Sequence, residues 1–195
     1  IIILIPFKSF GLIEVDITRG NLNPLPVAVS PLSIDEDSRK NFENIIKKKN
    51  IGLEISLIVE NNLRISGLFN PLDKDAFLQA PDIANLKPRF EDWNLIKAQA
   101  LITGKVSYVE EKLRVEFRLW DVLAGKEMMS LAFTTVPNNW RRVGHIITDK
   151  VYERLTGEKG YFDTRIIYVA EEGPKTQRVK KLAIMDQDGA NNKFL

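Results

Sequence analysis

The sequence predicts an α/β (α+β) fold, in which a mixed sheet packed with helices is followed by a shorter run of strands that has no helices. Three observations carry this. Apolar residues recur at three- and four-residue spacing over Ile51 to Ile65 and again from Trp140 to Leu155, the period of a helix with one buried face. Between Leu101 and Val136, three consecutive stretches alternate with a period of two. Beyond Gly160 only strand and turn signals remain. The chain has 195 residues, enough for one or two domains at the usual ~100–200 residues each. Its 44% hydrophobic and 28% charged residues describe a globular chain and exclude both a disordered tail and a multi-span membrane protein. The 28 basic and 26 acidic side chains nearly cancel, which leaves no general basic footprint for nucleic acid. With 0 Cys there is no disulfide framework, thiol nucleophile or cysteine zinc site.

The elements follow in order. Ile1 to Ile5, with Phe7 and Phe10, form an apolar stretch too short for the ~20 residues of a membrane span. It reads either as the tail of a signal peptide or as a buried first strand, and both chain ends read as cut. Val15 and Ile17 alternate with Asp16 and Thr18 as a short half-exposed strand. Gly20, Asn21, Asn23, Pro24 and Pro26 make a loop, after which Val27-Ala28-Val29 forms a compact buried strand ended by Pro31. Ser33 to Asn50 carries only a weak helical face, Phe42, Ile45 and Ile46, and reads as a partly ordered insertion. Ile51 to Ile65 is a helix with Gly67 as its C-terminal cap, and Ser66 to Leu72 a helix exit folded onto the core. A second helix covers Phe90 to Ala98, with Phe90, Trp93, Leu95 and Ile96 buried.

Leu101–Val109, Leu113–Trp120 and Met128–Val136 read as an antiparallel meander, turned at Glu110-Glu111-Lys112 and near Gly125. Asn138 or Asn139 then caps a helix that buries Trp140, Val143, Ile147 and Val151 and ends at Gly157. In the last segment, Arg165–Ala170 and Val179–Met185 are strands joined by a turn at Glu171–Pro174. The turn at Asp188-Gly189 suits one blade of a β-propeller, of which a partial blade cannot close a ring.

Candidate chemistry is sparse. His145 is the sole histidine, without a second histidine or cysteine to share a metal, and reads as a packing or surface residue. A hydrolase would require it to meet a carboxylate and a nucleophile in a concave pocket. The acidic pairs Glu91-Asp92, Glu110-Glu111 and Glu171-Glu172 and the run Asp35-Glu36-Asp37 are adjacent residues that point apart. Neither a phosphate loop nor a dinucleotide-binding glycine motif is present. Arg141-Arg142 at a helix N-terminus opposes the helix dipole, which calls for a local carboxylate partner or an anionic surface. These features describe an interaction module more than a catalyst.

Six stretches, in order, resemble the TolB family, the periplasmic components of the Tol–Pal system: Glu14–Ile17; Pro26–Val29; Leu63–Leu72; Trp140–His145 with Asp149–Gly157; Gly160–Val169; and Met185–Asn191. The resemblance covers nearly the whole chain. The segment Ser33 to Asn50 departs from it, being longer and more basic, and the residues before Leu12 lack a small-x-small cleavage pattern. The resemblance implies a signal-peptide remnant over 1–11, an α/β N-terminal domain over 12–160 and the start of a truncated six-bladed propeller over 161–195.

It also implies a non-catalytic periplasmic adaptor without cofactor or metal. Such an adaptor joins the inner-membrane protein TolA to the outer-membrane lipoprotein Pal and serves outer-membrane invagination at division and envelope integrity. Mapped onto this chain, the TolA-binding strand is Glu14, Val15, Asp16 and Ile17, with Thr18 at its edge. Pal would dock on the propeller, so no Pal-binding residue is assigned here. Neither nucleic acid nor direct membrane insertion is expected. The alternative from a different class is a small-ligand or nucleic-acid-binding α/β module.

Overall fold

The computed structural model describes residues 23–195. In chain order the elements are β1 (Leu25–Val29), β2 (Ser33–Ile34), α1 (Glu36–Ile46), α2 (Ile51–Ile65), β3 (Phe69–Pro71), α3 (Pro81–Leu86), α4 (Phe90–Leu95), β4 (Ala100–Val109), β5 (Lys112–Asp121), β6 (Lys126–Thr135), α5 (Trp140–Thr156), β7 (Arg165–Glu172), β8 (Val179–Asp186) and β9 (Lys193–Phe194). β1 is apolar on both faces, and a strand without a polar face must be covered on both sides. It accordingly lies inside the sheet, parallel to β3 on one side and to β4 on the other. The meander β4-β5-β6 extends the order to β3-β1-β4-β5-β6, with β2 pairing alongside β4. A mixed sheet results.

Alternation along the strands sends side chains to two cores. Val27, Val29, Ile102 and Phe117 join residues of α1, α2 and α5 on one face. Ala28 and Leu101 join Ala84, Trp93 and Val122 beneath α3 and α4 on the other. The buried indole of Trp93 donates to Gln79 Oε1 at 2.8 Å, and the same oxygen accepts the Arg89 N–H at 2.8 Å. That covers the polar cost of burying a tryptophan.

Several elements differ from the sequence reading. The expected partly ordered insertion contains the ordered helix α1. Asp35 caps it by accepting the Ser38 N–H at 2.8 Å, Ser38 Oγ accepts the Tyr108 N–H of β4 at 2.9 Å, and Phe42 is fully buried edge-on to Tyr108. Two side chains thus tie the helix to the sheet, which compensates for its weak apolar stripe. The helix exit at Ser66–Leu72 contains a strand, β3, because Gly67 at φ +73° turns the chain and Leu25 N–H then bonds to Leu68 O at 2.9 Å. The segment between β3 and α4, for which the sequence suggested no element, forms a single 3₁₀ turn at Lys74–Ala76 and the short helix α3. α4 ends at Leu95, which is 75% exposed, so Trp93 is the residue that anchors it.

The long elements fall where periodicity placed them. α2 spans Ile51–Ile65, and the meander strands match to within two residues at each end. Glu110 and Glu111 both take positive φ (49° and 59°), as a two-residue type I′ hairpin requires. α5 ends at Gly157, as expected. Its expected cap fails: Asn139 occupies the N-cap position, but its amide donates to Thr135 Oγ1 at 3.1 Å and makes no capping bond. After α5, β7-β8-β9 form a separate three-stranded antiparallel sheet. No helix among the described residues is long and apolar enough to cross a membrane.

Candidate functional site

The strand Glu14–Thr18 lies outside the described residues. The other candidates from the sequence, His145 and the Arg141-Arg142 pair, lie on α5, where their spacing determines what they reach. Val143, Ile147, Val151 and Leu155 point to the core, whereas Arg141, His145 and Asp149, each four residues apart, share the side that meets the C-terminal segment. Gly144, also on the inner side, lets α5 approach α2 closely: a Cβ there would stand 2.9 Å from Ile58 Cγ2.

Asp149 fixes the crossing of the chain from α5 towards β7. Its carboxylate accepts the N–H groups of Phe162 at 2.6 Å and Asp163 at 3.1 Å. Gly160 is needed here, since a Cβ would lie 2.4 Å from Asp149 Cα. Arg142 then grips the Asp163 carboxylate through both fork nitrogens, at 3.0 Å each. Of the two partners the sequence left open for Arg142, a local carboxylate or an anionic surface, the structure supplies a carboxylate, Asp163.

The second connection is the turn between β8 and β9. Gly189 at φ +84° closes it, with Gly189 N–H bonded to Asp186 O at 2.9 Å. Asp188 from this turn accepts the Arg141 guanidinium and, at 3.1 Å, the Ala190 N–H. Gln187 Nε2 donates to Asn62 Oδ1 at 2.9 Å, and Asn62, fully buried on α2, donates to His145 Nδ1 at 2.9 Å and to Thr148 Oγ1 at 3.2 Å. One asparagine thus joins α2, α5 and the β8–β9 turn. The sequence reading missed it, although Asn62 continues the spacing of Ile55, Ile58 and Val59 and is a polar residue on an otherwise apolar stripe.

This bonding bears on the tautomer of His145. With its Oδ1 accepting from Gln187, the Asn62 amide turns Nδ2 to His145 Nδ1, an arrangement that suits a neutral ring with its proton on Nε2, 3.7 Å from Asp188 Oδ2. Burial holds its pKa below the ordinary 6.5, Asp188 opposes that shift most strongly, and Arg141 reinforces it. A hydrolase would need a nucleophile against this ring. The nearby hydroxyl, Thr148 Oγ1, instead donates to Gly144 O at 2.9 Å in its own helix.

His145, Asp186 and Asp188 also bring one potential metal-ligand atom each within 4.8 Å of one another. The acids are already engaged, however: Asp188 by Arg141, and Asp186 by Asn191 Nδ2 at 2.5 Å with Arg165 at 3.7 Å. The geometry is that of a polar latch.

Fold and latch together define an α/β protein in which a mixed-sheet domain holds a second, antiparallel sheet through buried polar contacts. The model of the TolB amino-terminal domain matches residues 13–128. The Tol-Pal system protein TolB of Pelagibacter ubique (strain HTCC1062) is 83% identical over 193 residues, covering 99% of this chain and 43% of that protein. The chain belongs to the TolB family. It spans less than half the length of this curated relative. The crystal structure of TolB from Acinetobacter baumannii overlays with a TM-score of 0.69 at 22% identity, covering 94% of this chain and 41% of that one, and so shares the fold.

Proposed function

We propose that this chain is the amino-terminal part of a non-catalytic, periplasmic adaptor of the Tol–Pal system. It binds TolA through the strand Glu14, Val15, Asp16 and Ile17, with Thr18 at its edge, and Pal through a propeller whose first strands are 161–195. Residues 12–160 are the N-terminal domain and 1–11 a leader remnant, and the assembled protein serves outer-membrane invagination during division and envelope integrity. The observation that carries this reading is the 83% identity to a Tol-Pal system protein along nearly the whole chain. A short strand suits the TolA role physically. Added to the edge of a partner's sheet, its backbone supplies hydrogen bonds, while Val15 and Ile17 on one face and Glu14 and Asp16 on the other supply selectivity.

The test is calorimetric titration of TolA's periplasmic C-terminal domain with the chain trimmed to begin at Leu12, beside a chain that begins after Thr18. Binding by the first alone establishes the strand as the TolA ligand. Equal binding by both moves the contact to another face of the domain. Binding by neither removes the strand assignment.

A further inference from the structure

β6 closes one side of the mixed sheet. It pairs with β5 and, among the described residues, has no strand on its outer edge. It is 10 residues long, where about 5–6 is usual. Open edges are ordinarily blunted by charged side chains, prolines or bulges. β6 carries such features only at its start, where Lys126, Glu127 and the register shift beside Trp120 lie. From Met129 to Thr135 the ladder with β5 is regular, and neither a charge nor a proline interrupts it. Towards the helices, Met129, Leu131 and Phe133 stand opposite the fully buried Leu119, Phe117 and Val115, and Leu131 ends that apolar row 36% exposed. On the other face Ser130, Ala132 and Thr134 present only small side chains.

We propose that β6 is a dimer interface, on which a second copy of this chain lays its own β6 antiparallel about a two-fold axis through Leu131, perpendicular to the sheet. The strand complements itself best in that register. Leu131 meets its own counterpart, Met129 meets Phe133, and Ser130 meets Ala132, so apolar pairs continue the core while small side chains meet on the outside. The end charges stay apart, with Lys126 opposite Val136 and Glu127 opposite Thr135. Neighbouring registers are poorer. An axis at Ser130 would set Glu127 against Phe133, and one at Ala132 would draw Pro137, which has no N–H, into the ladder. A foreign strand would need the same apolar and small alternation, which a second copy always supplies.

The experiment is sedimentation equilibrium of the 195-residue chain beside Leu131→Lys, Leu131→Glu and their equimolar mixture. The parent should show a monomer–dimer equilibrium, and each variant should associate roughly tenfold more weakly or worse, because like charges meet on the axis. The mixture should recover the dimer, which also shows that both variants fold. Register is read with cysteine, of which the chain has 0. Under mild oxidation Leu131→Cys should cross-link to itself far faster than Ser130→Cys, since only directly opposed side chains come within about 4.5–5.5 Å. A parent that is monomeric at every concentration, or a mixture that does not recover the dimer, would overturn the proposal. So would association unchanged by Leu131→Lys, which places it on the C-terminal sheet, or dimers formed only once residues 1–22 are removed, which gives the edge to that segment.

Discussion

Asn62 makes hydrogen bonds to three other residues from a fully buried position on α2. Truncating it leaves the Gln187 amide and the His145 ring nitrogen without their shared partner, at roughly 1–3 kcal/mol for each group orphaned in the interior. Asn62→Ala should therefore lower stability by about 2 kcal/mol or more in urea unfolding, a larger loss than exposed substitutions give. His145 makes a prediction about pH. Its folded-state pKa lies below the ordinary 6.5, so as pH falls the unfolded chain takes up the proton first. Stability attributable to His145 is fully present above about 6.5 and declines as pH drops through the lower folded value. Asp188, Asp186 and Asp163 moderate the effect, and Arg141 and burial strengthen it. Melting temperatures measured from pH 8 to pH 5 should fall, and His145→Gln should flatten that fall; an unchanged slope would show that other groups control it. These roles were half legible in sequence. The pair Arg141-Arg142 announced a missing carboxylate or an anionic surface, but Asp163 lies 21 positions from Arg142 and Asp188 47 positions from Arg141, and nothing local says which acid will arrive.

Elements with a long, regular pattern were legible, and short ones were not. α2 and α5 repeat their apolar spacing for 15 and 17 residues, so single exceptions do not blur the period. β3, with three residues, and α3, with six, offer too few repeats to count. α1 lies between these cases. Its stability comes from the Asp35 cap and from Phe42, both of which depend on the sheet beneath. Hydrogen bonding from the Ser38 backbone holds the Asp35 carboxyl below its ordinary value. Its contribution is therefore present above about pH 4 and is lost as the group protonates in more acid solution. Asp35→Ala should cost about 1 kcal/mol at neutral pH by thermal or urea melt. The β4–β5 hairpin should respond in the opposite direction. Both turn glutamates are left-handed, a conformation that costs L-residues roughly 1–2 kcal/mol and that Asn-Gly adopts readily. Glu110→Asn with Glu111→Gly should raise the melting temperature without altering the fold.

At the scale of the molecule, the two cores reach no further along the chain than Leu155. The mixed-sheet domain should therefore fold without the C-terminal sheet. A chain of residues 23–163, which keeps buried Phe162 against Tyr152, should unfold cooperatively in urea, at a lower midpoint because Asn62 loses Gln187 and Arg141 loses Asp188. A non-cooperative transition would show that the second sheet is integral. That sheet exposes Ile167, Val169, Val179 and Phe194, each more than half accessible, so the 195-residue chain should self-associate in light scattering more than the 23–163 chain does.

By itself, the sequence determined the α/β class, the long helices, the meander and the change of architecture after Gly160. It also carried the family resemblance, because periodicity and motif order are local properties that survive without coordinates. Tertiary structure decided which acids meet Arg141 and Arg142, that Asn62 is the junction of the latch, that His145 is buried with Nδ1 against Asn62, and that α1 is ordered. Each of these depends on partners far apart in sequence: α1 on β4, Arg142 on the crossing to β7, and the latch on the packing of α2, α5 and the β8–β9 turn.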